Sequence, residues 1–236
     1  MAIDKTALEA ILCSLKYIKP GGIILTLGRQ SINVDYVTIK NTLQKYNKNI
    51  TIQTIGTFSE NLFSSILGAK LVESIDFSLD LSPTIVHNMN NKIPDQLKNR
   101  YDYIYDCGTI ETMFDTSLVI DNILNMLKVG GFFCSVTACN NFFGHGMYQF
   151  SPEFFLAVFS EKYGMVIHEL YLTQINSDKS QWVDVKSYSF GRNTSKFNTT
   201  FPVYIIAIIE KISDIRLSVK ENPPKNWSDD QMNWKL

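Results

Sequence analysis

Apolar positions along this chain switch between two spacings, and the switches mark alternating helices and strands. Ala7, Ile11, Leu15 and Ile18 fall on one helical stripe, which predicts an amphipathic helix over 4–18, broken by Pro20-Gly21-Gly22. The run over 23–27 is a short apolar block, the pattern of a buried parallel strand, and it ends in Gly28-Arg29-Gln30. A helix over 34–46 and an extended piece over 49–55 follow. Ser59 then caps a helix over 60–67 that stops at Gly68. Strand patterns cover 70–75 and 84–87, and a brief helical link covers 93–98.

The stretch over 101–134 organises the rest. A strand over 101–106 leads into a Cys-Gly-Thr turn. A helix over 115–127 carries Leu118, Ile120, Ile123, Leu124 and Leu127 near helical spacing. Gly130-Gly131 stops that helix, and a strand over 132–137 begins. Strand, helix, strand in this order is a βαβ unit, which builds parallel sheets with ligand sites at the carboxyl ends of the strands. A polar, Gly-rich loop over 138–150 follows. Ser151-Pro152 opens a helix that runs to about Tyr163 and stops at Gly164. Residues 165–174 and 203–211 are strongly strand-like and 182–190 weakly so, and a Pro-rich, charged tail begins near Ser213.

Composition narrows the function classes. At 236 residues and 45% hydrophobic, the chain can form one large domain around a sizeable core. Its net charge of −1 and the lack of a basic stretch argue against a partner held by phosphate contacts, so no nucleic acid is expected. No apolar run is long enough for a membrane span, and the first residues do not read as a signal peptide. Cys13, Cys107, Cys134 and Cys139 form no CxxC pair, which suits reduced thiols in a cytoplasmic protein. The three histidines stand far apart with no acidic pair at ligand spacing, so no metal site is expected.

The pattern Asp106-x-Gly108-x-x-Glu111, followed by a helix ending Leu-Lys-x-Gly-Gly-Phe at 127–132, resembles the second half of the S-adenosylmethionine-dependent methyltransferase fold. The resemblance spans roughly 22–211. It implies an α/β domain with a seven-stranded, mainly parallel, Rossmann-like sheet, flanking helices and an antiparallel last strand. The domain would occupy 1–212 and the tail 213–236. It also implies S-adenosylmethionine as cofactor. Asp76, beside Phe77 at the second strand's end, would accept from the ribose hydroxyls; a solvated or capping role is the plain alternative. Asn88 would accept from the adenine amine or serve only as a turn residue. Asp106, Cys107, Gly108 and Thr109 would form the cofactor-binding lip of the fourth strand, the backbone near Cys107 and Gly108 passing close to the methionine portion, with Glu111 deeper in the acceptor cleft. Two departures stand out. The first turn has Gly28 alone where the family has an acid and Gly-x-Gly, leaving Arg29 to meet the cofactor carboxylate and Gln30 to line the acceptor pocket. And relatives often read Glu-His where this chain reads Glu111-Thr112, so a base is missing there.

The loop over 140–150 could replace that base. It carries His145 between Gly144 and Gly146, with Tyr148 beyond, and Gly-His-Gly-x-Tyr-Gln-Phe-Ser-Pro-Glu resembles a subgroup of bacterial methyltransferases that often occur with surface-polysaccharide genes. His145, Glu111 and Tyr148 are the candidate catalytic residues. His145 could instead only order its loop. The implied reaction is in-line methyl transfer to a small-molecule or saccharide acceptor: a sugar hydroxyl needs a base, an anionic phosphoryl oxygen does not. The other reading is a binding or partner subunit that has kept the fold without catalysis. A nicotinamide-dependent dehydrogenase would need G-x-G-x-x-G after the first strand, which is absent. Trp227 and Trp234 in the polar tail point to docking on this domain or on a second copy, as in a homodimer.

Overall fold

The strands expected from the sequence lie edge to edge in one sheet. The computed structural model describes residues 2–48, 50, 56–186 and 199–221. In chain order its elements are β1 (Ala2–Ile3), α1 (Lys5–Ser14), β2 (Ile23–Leu27), β3 (Ser31–Ile32), α2 (Tyr36–Lys45), α3 (Glu60–Leu67), β4 (Leu71–Asp76), β5 (Ile85–Val86), β6 (Tyr101–Cys107), α4 (Thr116–Met126), β7 (Leu127–Asn140), α5 (Pro152–Val158), β8 (Met165–Gln174), β9 (Val183–Asp184) and β10 (Val203–Lys211). Eight of the strands form the main sheet in the order β5-β4-β2-β6-β7-β10-β8-β9. From β5 to β7 every neighbouring pair is parallel, whereas β10 runs antiparallel to both β7 and β8. The mainly parallel sheet with an antiparallel insertion is therefore as expected, with β9 as an eighth strand that, among the described residues, pairs at Val183 and Asp184.

Side-chain alternation along the central strands divides the core into two layers. Ile104, Phe133, Ile205 and Ala207 face one side and pack with Val119 and Ile120 of α4 and Phe155 of α5. Tyr103, Tyr105, Cys134, Ile206 and Ile208 face the other and pack with Leu8 and Ile11 of α1, Ile39 of α2 and Phe63 of α3. Burying each of the larger side chains is worth ~1.5–3 kcal/mol, so both layers hold the sheet firmly. Local chemistry starts the helices. Asp4, Asp35, Asp115 and Ser151 each accept a backbone N–H of the first turn, and Pro152 sits where its missing N–H costs nothing.

Two expectations change. The first helix ends at Ser14, because Ser14 O accepts from both Tyr17 N (2.9 Å) and Ile18 N (3.2 Å), closing a turn. It is also buried on all sides rather than along one stripe: the segment after β8 folds over it, with Asn176 N donating to Thr6 Oγ1 at 2.8 Å and Lys179 N to Glu9 Oε2 at 2.6 Å. Second, Gly130-Gly131 does not separate helix from strand. It lies inside β7, near the point where pairing with β6 shifts register between Tyr101 and Tyr103.

The segment after β10 packs on the domain, outside the sheet, up to residue 221. The Asp121 carboxylate of α4 accepts from Arg216 Nη1 (3.2 Å), Ser218 Oγ (2.5 Å), Val219 N (2.9 Å) and Lys220 N (3.1 Å), and Val219 joins the core. Most of the expected extended piece over 49–55, the later part of 182–190, and Trp227 and Trp234 lie outside the described residues. Among those described, no helix is long and apolar enough to cross a membrane.

Candidate active site

The carboxyl ends of β2, β4, β6 and β7 share one edge of the sheet, and the sequence-nominated residues gather there. Gly28 and Gly108 end β2 and β6 with φ of +68° and +74°, left-handed turns that glycine adopts without strain. Between them a fully buried side chain bridges the two strands. Gln30 Nε2 donates to Leu27 O (2.5 Å) and to Thr109 Oγ1 (3.3 Å), while Thr109 Oγ1 donates to Leu27 O (2.6 Å). Bonding to a carbonyl fixes the Gln30 amide, so its Oε1 is the buried atom left with no hydrogen-bond partner.

Two acids lie beneath this edge. Asp106 turns inward: Ser135 Oγ donates to Oδ2 (2.8 Å), and Thr109 N and Ile110 N donate to Oδ1 (3.0 and 3.3 Å). Burial, reinforced by the Glu111 charge, pushes its pKa up to about 8. Asp106 thus shapes the turn from within and offers no oxygen to solvent.

Glu111 is equally buried. Its Oε2 accepts from Thr137 Oγ1 at 2.5 Å, and its Oε1 has no hydrogen-bond partner. Burial raises its pKa, against the hydrogen bond from Thr137 and the nearby His145, which lower it.

The loop after β7 sits directly on Glu111. Met147 N and Tyr148 N both donate to Glu111 O, at 2.8 and 3.0 Å. A Cβ on Gly146 would stand 2.9 Å from Glu111 O and 3.0 Å from Glu111 Cγ, so only glycine allows this approach. The consequence is that His145 Nε2 lies 3.7 Å from the unpartnered Glu111 Oε1, with the imidazole half exposed. The Phe142 ring, 5.3 Å away between centroids, packs against that imidazole. The Tyr148 hydroxyl, nominated as catalytic, donates to Phe114 O at 2.9 Å and ties this loop to the one after β6.

The cofactor-side candidates scatter more widely. Asp76, half-buried, closes β4 and accepts from Ser78 N through Oδ1 at 3.1 Å. Phe77 beside it is 75% exposed. Asn88 Oδ1 accepts from Asn90 N (3.0 Å) and Asn90 Nδ2 (3.1 Å), closing a local turn. Arg29 is spent within the chain. Its Nε donates to Glu60 Oε1 (2.7 Å), its Nη1 to Leu81 O (2.8 Å) and Ser82 O (3.0 Å), and it stacks on Phe58.

Sequence reasoning passed over Ser135 and Thr137, although a signal existed. They are polar residues two apart in an apolar strand, hence on one face, and that face meets Asp106 and Glu111. Among the described residues no group of three or more His, Cys, Asp or Glu is placed to hold a metal ion.

No protein-family model and no curated protein matches the chain. Solved structures do. A candidate methyltransferase from Bacillus halodurans C-125 superposes with a TM-score of 0.53 at 10% identity, over 88% of this chain and 100% of that one. A chain of the complex between the Haloferax volcanii Trm112 methyltransferase activator and a candidate methyltransferase superposes with a TM-score of 0.52 at 13% identity, over 87% of this chain and 89% of that one. At these identities the likeness is one of fold, and the chain has the Rossmann-like methyltransferase fold.

Proposed function

We propose that the protein is an S-adenosylmethionine-dependent methyltransferase acting on a hydroxyl of a small-molecule or saccharide-linked acceptor, in surface-polysaccharide synthesis. The observation that carries this reading is the placing of His145 over the buried, unpartnered Glu111 Oε1 at the carboxyl edge of the sheet. The donor set suits the cofactor. Gln30 Oε1 is a buried acceptor lacking a donor, which favours a ligand with cationic or N–H groups. Asp76 would take the ribose hydroxyls, Phe77 would flank the base, and the backbone at Gly28 and Gly108 would allow close approach. When bound, S-adenosylmethionine supplies a methyl group activated on sulfonium sulfur.

The chain's own task is to place the acceptor and take its proton. His145 Nδ1, turned away from Glu111, receives the hydroxyl proton, while Nε2–H faces Glu111 Oε1. The Glu111 carboxylate stabilises the imidazolium that forms when His145 takes the proton, and the cationic imidazole in turn favours the ionised acid. Catalytic hydrogen bonds are often long before the substrate is bound, so the 3.7 Å gap is compatible with this role.

A second reading has its own observation. Leu27 O already accepts from Gln30 and Thr109, and Arg29 is held through Nε and Nη1, so much of the first turn is used by the chain itself. That favours a binding or partner subunit. Calorimetry with S-adenosylmethionine and S-adenosylhomocysteine decides between them: binding below ~1 mM is expected, and none at that concentration sinks the enzymatic reading. Given turnover, His145→Ala and His145→Gln should each lose ~10²–10⁴-fold in rate with cofactor affinity kept. Near-normal turnover of the Gln variant across neutral pH would reduce His145 to a loop-ordering residue.

A further inference from the structure

Between the segment leaving β6 and the segment entering α5 lies a groove of about 580 Å³. That volume is within the usual range for a small-molecule site. Phe114, Tyr148 and Phe154 give it aromatic faces; Thr116, Ser117 and Ser151 give it hydroxyls. Phe114 is 72% exposed, so its ring is free to stack.

Charge decides what fits. No Lys, Arg or His lines the groove, and its one acid, Asp115, is bonded through Oδ2 to Lys220 Nζ. An anionic phosphoryl acceptor would find no cation among the lining residues, and the nearby Lys220 is already paired with Asp115. A sugar ring has apolar C–H faces and a polar hydroxyl edge, and this lining offers a partner to each. The groove also connects to the acid–imidazole pair: Tyr148 lines it, its hydroxyl bonds Phe114 O, and its backbone N bonds Glu111 O.

We infer that this groove is an acceptor subsite for an uncharged glycosyl ring. Presentation of one ring hydroxyl to His145 rests on the methyl-transfer reading above; binding of the ring does not.

The test is saturation-transfer NMR on the full chain, using methyl pyranosides of glucose, galactose and mannose, with glucose 1-phosphate as the anionic probe. At least one methyl glycoside should bind at ~10 mM or below, with transfer strongest to its ring C–H protons. Phe114→Ala should weaken that binding by about fivefold or more, and truncating so exposed a side chain spares the fold. No transfer to any methyl glycoside would overturn the inference. So would unchanged affinity in the variant, or glucose 1-phosphate binding about tenfold tighter than every neutral glycoside. S-adenosylhomocysteine calorimetry on the same sample separates the two readings. Phe114-dependent glycoside binding without nucleoside binding keeps the subsite and removes the methyl transfer; the reverse keeps methyl transfer and removes the subsite.

Discussion

Glu111 shows how one residue can do two jobs through different atoms. Its carbonyl oxygen anchors the loop by accepting from Met147 and Tyr148, while its buried carboxyl meets Thr137 and faces His145. Gly146 makes both possible by leaving out the atom that would collide. Gly146→Ala should therefore cost ~1–3 kcal/mol, since the neighbour it strikes is backbone and cannot swing aside. Thermal denaturation would measure the loss, and amide exchange at Met147 and Tyr148 should quicken. A variant with unchanged melting and protection would show that the loop has another resting place. Glu111 and His145 were each legible in the sequence as lying past a strand end. Their meeting was not, because it depends on backbone hydrogen bonds that leave no residue signature apart from one glycine. Gln30 was legible only as a pocket-lining residue: an amide says nothing of which strands it will bridge.

At the level of elements, α4 holds the chain's later part in place. The Asp121–Arg216 pair is buried at both ends, with side chains 9% and 7% exposed. Removing one partner strands the other, so Asp121→Ala should cost ~3–5 kcal/mol in a urea titration. Truncation after Lys220 should leave the melting temperature near that of the full chain, whereas truncation after Ile212, which removes Arg216 and Val219, should lower it clearly. Equal melting of the two truncations would mean that the docked segment contributes nothing. The sequence pointed to docking of the tail through Trp227 and Trp234, which lie outside the described residues, and no local pattern over 213–221 names the partner met there. The acid that captures the segment lies in α4, 95 residues before Arg216. Elsewhere the elements were legible wherever local chemistry and burial agreed. The helix before Gly68 ends on that left-handed glycine as expected, although Ser59 makes no side-chain cap bond at its start, and the strand-helix-strand core had its period changes. The two-residue pairing of β1 with β3 had neither, being too short to show a period.

For the molecule as a whole, buried acids set the pH response from opposite sides. Burial holds Asp106 above its unfolded value, so the folded state keeps a proton that the unfolded chain gives up. Its contribution is full below about pH 4 and drains away as pH rises to about 8. Glu169 is the reverse. Its carboxylate is desolvated, yet hydrogen bonds from Lys16, Tyr17 and Tyr171 carry its pKa down to about 2, so its contribution is lost as pH falls toward that value. Stability should peak in weakly acidic solution and fall by a few kcal/mol toward pH 8. Asp106→Asn should flatten the alkaline decline, as urea midpoints at several pH values would show; an equally steep decline in the variant would assign it to other groups.

The position of β10 has a consequence for the protein while it is being made. Its two neighbours, β7 and β8, come earlier in the chain, and among the described residues β8 pairs in the sheet with β10 and β9 alone. A nascent chain can zip β5 through β7 as they leave the ribosome, but β7, 14 residues long, must then wait with one edge open. Its partner strand begins roughly 60 residues later, which at ordinary elongation rates is a wait on the order of 3–12 s. For that interval an apolar strand edge is exposed to every neighbouring chain, so chaperone demand and codon choice between β7 and β10 should govern the yield of folded protein more than the final stability does.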